Sequence, residues 1–102
     1  MDYQIIWPDD AIADLRREVE YIAQFNPDAA RKTGEAILNK VRLLGQFPRL
    51  GKVFAKLGRE DVREIPLPPY RLIYFVQDSM KSVIVLTAWH GARQEPETLP
   101  GL

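Results

Sequence analysis

Apolar residues recur along this chain in two rhythms, and the change between them divides it into a helical half and a stranded half. A short run, "YQIIW" from Tyr3 to Trp7, reads as a strand stopped by Pro8. Ile12, Leu15, Val19 and Ile22 then follow at spacings of three and four. That spacing lays one buried stripe along a helix, with Arg16, Arg17, Glu18 and Glu20 mostly off it. Pro8 suits the first helical turn, and Asp9 and Asp10 complement the positive end of the helix dipole. "FNPDAA" breaks the rhythm. Asn26 is a good N-cap and Pro27 a good first residue for a second helix. Its stripe is Ala30, Thr33, Ile37, Val41 and Leu44, with Leu38 beside it and an end near Gly45. Two helices joined so tightly form an antiparallel hairpin. Gly34 inside the second helix costs about 1 kcal/mol relative to alanine, which a close helix crossing would explain.

From Val62 the rhythm becomes that of strands. "VREIPL", "YRLIYFV" and "SVIVLTAWH" follow one another; prolines 66, 68 and 69 separate the first two, and "QDSMK" (Gln77 to Lys81) has the length and polarity of a hairpin loop. In the middle strand Tyr70, Leu72, Tyr74 and Val76 share one face, and Arg71, Ile73 and Phe75 the other. "VIVL" is apolar on both faces, as a covered strand should be. Between the halves, "FPRLGKVFAKLGRED" (Phe47 to Asp61) reads as a loop with room for one helical turn. The predicted order is β-α-α-β-β-β, an α+β fold in which the helical hairpin covers one face of a mainly antiparallel four-stranded sheet. The other face is left for water or a partner. Residues 1–93 form the single domain, and 94–102, with two prolines and a glycine, a loosely ordered tail.

Length and composition agree with this. One hundred and two residues make one domain, which buries roughly 65% of the surface its unfolded chain exposes. The absence of cysteine and of any apolar run of 18 residues points to a cytoplasmic protein with no membrane partner. One histidine, no cysteine and no tight carboxylate cluster leave no ligand set for a metal, and no phosphate-cradling glycine loop appears, so no cofactor is expected. Net charge is zero but uneven. Residues 48–93 carry 8 basic and 4 acidic side chains, net +4, whereas 1–47 (6 against 8) and 94–102 (0 against 2) are each net −2. Such a bias can steer toward an acidic partner, although an ordinary solvated surface explains it as well.

Four segments together resemble one known family. They are "YIAQFNPDAA", "ILNKVRLLGQFPRLG", "DVREIPLPPYRLIYFV" and "VIVLTAWHGAR", in that order and spacing, and the resemblance covers nearly the whole chain, Tyr3 to Arg93. The chain is similar to the RelE/ParE superfamily, the toxins of bacterial type II toxin–antitoxin modules. The resemblance implies a small toxin restrained by a cognate antitoxin, with a homodimer as a further option. It also implies one of two targets: RelE-like members cleave messenger RNA on the ribosome, and ParE-like members inhibit DNA gyrase. "HGAR" is nearer the ParE-like ending.

The chemistry of the two activities differs. Metal-free RNA cleavage needs a base, an acid and cations for the phosphorane. His90 or Glu64 would serve as base or acid, and Arg63, Arg71 and Arg93 as cations. Binders of so anionic a substrate are strongly basic, whereas this chain has a pI near 6.6. The expectation is therefore a ParE-like protein that obstructs its target. Arg63, Tyr70, Arg71, Tyr74, Trp89, His90 and Arg93 would form the contact surface. Ile12, Leu15, Val19, Ile37 and Val41 on the hairpin would take the antitoxin. The plainer roles stand beside these: a lone histidine at a strand end half in water, tyrosines and tryptophans of the core edge, and an Arg71 that requires a carboxylate or water because it lies in an apolar strand.

Overall fold

The computed structural model describes residues 2–90 together with Leu99. The elements are β1 (Gln4–Ile6), α1 (Asp9–Ala23), α2 (Pro27–Gln46), β2 (Lys52–Val53), β3 (Val62–Leu67), β4 (Tyr70–Gln77) and β5 (Ser82–His90), with a short 3-10 turn at Asp78–Met80. The strand order is β1-β5-β4-β3-β2. β1 runs parallel to β5, and the other three pairings are antiparallel.

The helices start where the sequence predicts. Asn26 Oδ1 accepts a hydrogen bond from the Ala29 N–H at 3.0 Å, and Pro27 occupies the first helical turn. The inward face of α2 is Ala30, Ile37, Val41 and Leu44. The inward face of α1 is rotated from the expected one. Ala11 and Glu18 are its buried residues and Leu15 and Ile22 pack on the core, while Ile12 remains 38% exposed. An alanine is easily overlooked in a stripe of larger side chains, yet it lets α1 lie close to the sheet. Gly34 faces Val19, with room for a Cβ at 3.6 Å from Val19 Cγ2.

Two findings correct the expected sheet. It has five strands, the fifth being β2, which lies in the predicted loop and pairs Lys52 with Glu64 and Val53 with Arg63. Both its side chains are exposed, so no alternation betrays it, and only β3 makes it a strand. Nor is the face away from the helices left to water. There Phe54, Val62, Ile73, Leu86 and Leu99 form a second buried cluster, with Leu57, Phe75, Ile84 and Trp89 packed against it. Phe54 and Leu57 come from the connection after β2. The larger cluster lies under the helices and includes Ile65, Tyr70, Leu72, Tyr74, Val76, Val83 and Val85. The two faces of β4 are thus those its alternation predicts. No helix among the described residues is long and apolar enough to cross a membrane.

Candidate functional site

The strand register decides which of the candidate residues can act together. On β4, Tyr70 faces the helices and is aligned with His90 of β5; Arg71 faces away and is aligned with Trp89. Tyr70 and His90 meet edge to face, ring centroids 5.3 Å apart. Both line a hollow of about 620 Å³ with Glu18, Tyr21, Ile22, Thr33 and Pro69, on the helical side of the sheet. On the other side Arg71 Nε lies 3.0 Å from Glu64 Oε1, and its guanidinium sits 6.0 Å from the Phe54 ring centroid. Lys52, Ala55, Glu64, Pro66 and Arg71 line a separate depression of about 400 Å³. His90 and Arg71 therefore belong to opposite faces.

Arg63 is elsewhere again. It is aligned with Tyr74, four residues along β4 from the position opposite His90. At about 3.3 Å per residue and 4.8 Å per strand, its Cα lies roughly 16 Å from that of His90. Its side chain, only 14% exposed, is spent within the fold. Nη1 donates to the Gly51 carbonyl at 2.9 Å, Nε to the Glu60 carbonyl at 3.0 Å, and Nη2 to Glu60 Oε1 at 2.9 Å.

This clamp is one end of a longer ionic chain. Arg49 donates to Glu60 through Nε and to Asp78 Oδ2 through Nη2 at 2.8 Å, and the Tyr3 hydroxyl donates to Asp78 Oδ1 at 2.7 Å. Tyr3 just before β1, the α2–β2 connection, the loop before β3 and the β4–β5 turn are so joined. The hydrogen bond from Arg49, then that from Tyr3, lowers the Asp78 carboxyl to about 2. Arg49 and then Arg63 lower Glu60, and the bond to Asp78 raises the Tyr3 phenol. All four described arginines between residues 48 and 90 are ion-paired with an acid of this chain: Arg49, Arg59, Arg63 and Arg71. These pairs use all four acids of residues 48–93, so the net positive charge of that stretch rests on Lys52, Lys56, Lys81 and Arg93.

Other candidates are placed plainly. Tyr74 is fully buried, so it cannot touch a target; its hydroxyl accepts the Gly51 N–H at 2.9 Å, and burial raises its pKa. Tyr70 is also buried, though at the wall of the hollow. Trp89 and His90 are half-buried. Arg93 lies outside the described residues. Of the residues expected to take a partner on the hairpin, Ile37 and Val41 are core, at 0% and 2% exposure, and Leu15 packs on the same core. A stripe regular enough to be noticed is the stripe that the sheet covers. Val19 is half-buried, and Ile12 alone is exposed.

Several residues escaped prediction. Arg49, Glu60, Asp78 and Tyr3 are linked across separations of 11 to 75 positions, which no local pattern reveals. Tyr21 and Phe25, 62% and 74% exposed, stand edge to face at 5.5 Å near the end of α1. Leu43, Phe47 and Leu50 are exposed at the end of α2. Spacings of four (Tyr21 to Phe25, Leu43 to Phe47) and three (Phe47 to Leu50), off the buried stripe, are the signal the sequence offers for both groups. Among the described residues no group of three His, Cys, Asp or Glu side chains could hold a metal ion.

Residues 5–95 match the family described as the ParE toxin of type II toxin–antitoxin system, parDE. Over 90 residues the chain is 31% identical to "Toxin RelE2" of Caulobacter vibrioides, covering 88% of this chain and 97% of that protein. The fold is similar to that in the chromosomal ParDE TA system from P. aeruginosa, with a TM-score of 0.71, 22% identity, and coverage of 86% of this chain and 95% of that one. It is similar also to the intact E. coli RelBE toxin–antitoxin complex, with a TM-score of 0.62, 22% identity, and coverage of 89% and 99%.

Proposed function

The chain belongs to the RelE/ParE superfamily of type II toxin–antitoxin toxins, and from that premise we propose that it acts in the ParE manner, binding and obstructing DNA gyrase without cutting a bond. The observation that carries this reading is the separation of Arg71 and His90 onto opposite faces of the sheet, with Arg63 locked into a loop clamp. A phosphorane needs its acid, base and cations within about 3 Å of one reacting group. Recruiting the arginines for RNA would also break ion pairs that the fold already makes.

The test pairs two assays on the purified chain. Gyrase supercoiling should fall as the toxin is added, and ribosomes programmed with message should leave it uncut. Message cleavage that weakens in His90→Ala and Arg71→Ala would overturn the reading. The 31% identity with a protein named RelE2 supports a second reading, a RelE-like endoribonuclease. In that reading Glu64 and Arg71, beside Lys52, are the acid–base group and the cation. A toxin-like domain inactive on both targets would show neither effect.

The partner that restrains the toxin is a cognate antitoxin. An amphipathic segment of it would cover the exposed apolar side chains of the hairpin, Ile12, Leu38, Leu43 and Phe47. Without the antitoxin the same surface favours self-association, including a homodimer. Either target places the activity in the cytoplasm.

A further inference from the structure

One side of β3 is only half covered. β2 pairs with it at Arg63 and Glu64, and among the described residues no strand lies beside residues 65–67 on that side. Two hydrogen bonds show which backbone groups face the open side. The Phe54 N–H, just after β2, donates to the Val62 carbonyl at 2.9 Å, and the Val76 N–H of β4 donates to the Asp61 carbonyl at 2.8 Å. Backbone groups of successive strand residues point to alternate sides. Arg63, Ile65 and Leu67 therefore turn theirs toward β4. Val62, Glu64 and Pro66 turn theirs toward β2 and, past its end, toward the open side. Pro68 is next in that series, just beyond the strand. Pro66 and Pro68 are both exposed, and neither has an N–H. The open stretch thus presents carbonyl acceptors and no donor. At the opposite edge of the sheet the outward donor is present but already used: the Tyr3 N–H donates to the Gly45 carbonyl at 2.7 Å.

We propose that Pro66, with Pro68 beyond it, keeps a second copy of this chain from adding its own β3 to the open side of β3. A two-fold axis sets a strand edge against itself, so an edge with both donors and acceptors is complementary to its own copy. Here the same operation sets acceptors against acceptors. β3 loses no internal ladder bond by it, because the residues paired inward, Ile65 with Leu72 and Leu67 with Tyr70, keep their N–H groups. The proposal goes beyond the toxin reading and does not depend on it. The exposed apolar side chains of the helical hairpin are a separate route to self-association, so a test has to report on the edge itself.

Pro66→Val restores the N–H and supplies a side chain that favours strands. Its companion, made by chemical synthesis, carries N-methylvaline at the same position: the valine side chain without the N–H. Self-association is measured by sedimentation velocity over a concentration series, and protection of the amide at position 66 by hydrogen exchange in NMR. Pro66→Val should self-associate about tenfold more tightly than the parent, through the pair of hydrogen bonds that two copies exchange at position 66. Its new amide should exchange slowly in the associated form and fast on dilution. The N-methylvaline chain should match the parent. Pro66→Ala restores the same N–H and carries the same expectation, should circular dichroism show that the valine chain does not fold. Association of the N–H-bearing chain no tighter than the parent's overturns the proposal. Equal association of the valine and N-methylvaline chains also overturns it, because the side chain is then the cause. So does fast exchange at position 66 in the associated form, which puts the contact elsewhere.

Discussion

Replacing Arg63 with alanine separates a structural arginine from a target-binding one. The side chain makes three hydrogen bonds, two to backbone carbonyls and one to Glu60. The bond to Glu60 counts for little, since that carboxylate is 58% exposed and well screened. Each bond to a carbonyl from a charged donor contributes about 1.5 kcal/mol, and Gly51, whose carbonyl would lose its guanidinium, is buried. The loss is therefore about 3 kcal/mol. In a domain of this size each kcal/mol moves the midpoint by about 4–8 °C, so Arg63→Ala should melt roughly 12–24 °C below the parent. Circular dichroism of the purified chain measures this directly. Arg63→Lys is the control: it keeps the charge but cannot reach all three acceptors, and should recover less than half of the loss. A melting temperature within 4 °C of the parent, combined with lost inhibition of gyrase or of growth, would refute the assignment and return Arg63 to the contact surface.

Other expectations follow from single contacts. Gly51→Ala should cost about 2–3 kcal/mol in urea denaturation, because its Cβ would lie 2.4 Å from the Glu64 carbonyl oxygen and 2.8 Å from the Tyr74 hydroxyl. Gly34→Ala should do the reverse and raise stability by about 0.5–1 kcal/mol, since its Cβ meets Val19 at an ordinary 3.6 Å. The Asp78 carboxyl is depressed from 3.8 to about 2, so its contribution is complete above pH 3.8 and disappears as pH falls toward 2. An acid titration followed by circular dichroism should therefore show a shallower loss of stability in that window for Asp78→Asn. Phe47→Glu should weaken antitoxin binding in calorimetry and leave the melting temperature within about 2 °C, whereas Ile37→Ala should lose about 3 kcal/mol of stability.

How much of the candidate site was legible varies residue by residue. Arg71 was readable as a cation in need of a carboxylate, because it interrupts an apolar strand, and Glu64 supplies that carboxylate. That Arg71 and His90 cannot cooperate was not readable. Both lie near strand ends, but their faces depend on the β4–β5 register, including its irregularity at Ile73 and Tyr74. Arg63 looked like a free cation beside Glu64, since the carbonyls that hold it come from a loop whose path no periodicity describes. Ile37 and Val41 were proposed for the partner's surface for the very regularity that marks them as core.

The two helices, the strands β1, β3, β4 and β5 and the alternation along β4 were determined by the sequence itself. Each is a local matter: helix caps, turn residues and side-chain periodicity act over a few positions. The resemblance carried in four ordered segments added the family. Tertiary structure alone decided the rotation of α1, the strand β2, the second cluster around Phe54 and Leu99, and the Tyr3–Asp78–Arg49–Glu60–Arg63 chain. These depend on groups far apart along the chain, brought within a few ångströms only once the sheet is assembled. Whether a charged side chain is free or already paired is then a property of the folded surface, and not of the residue's own neighbours in sequence.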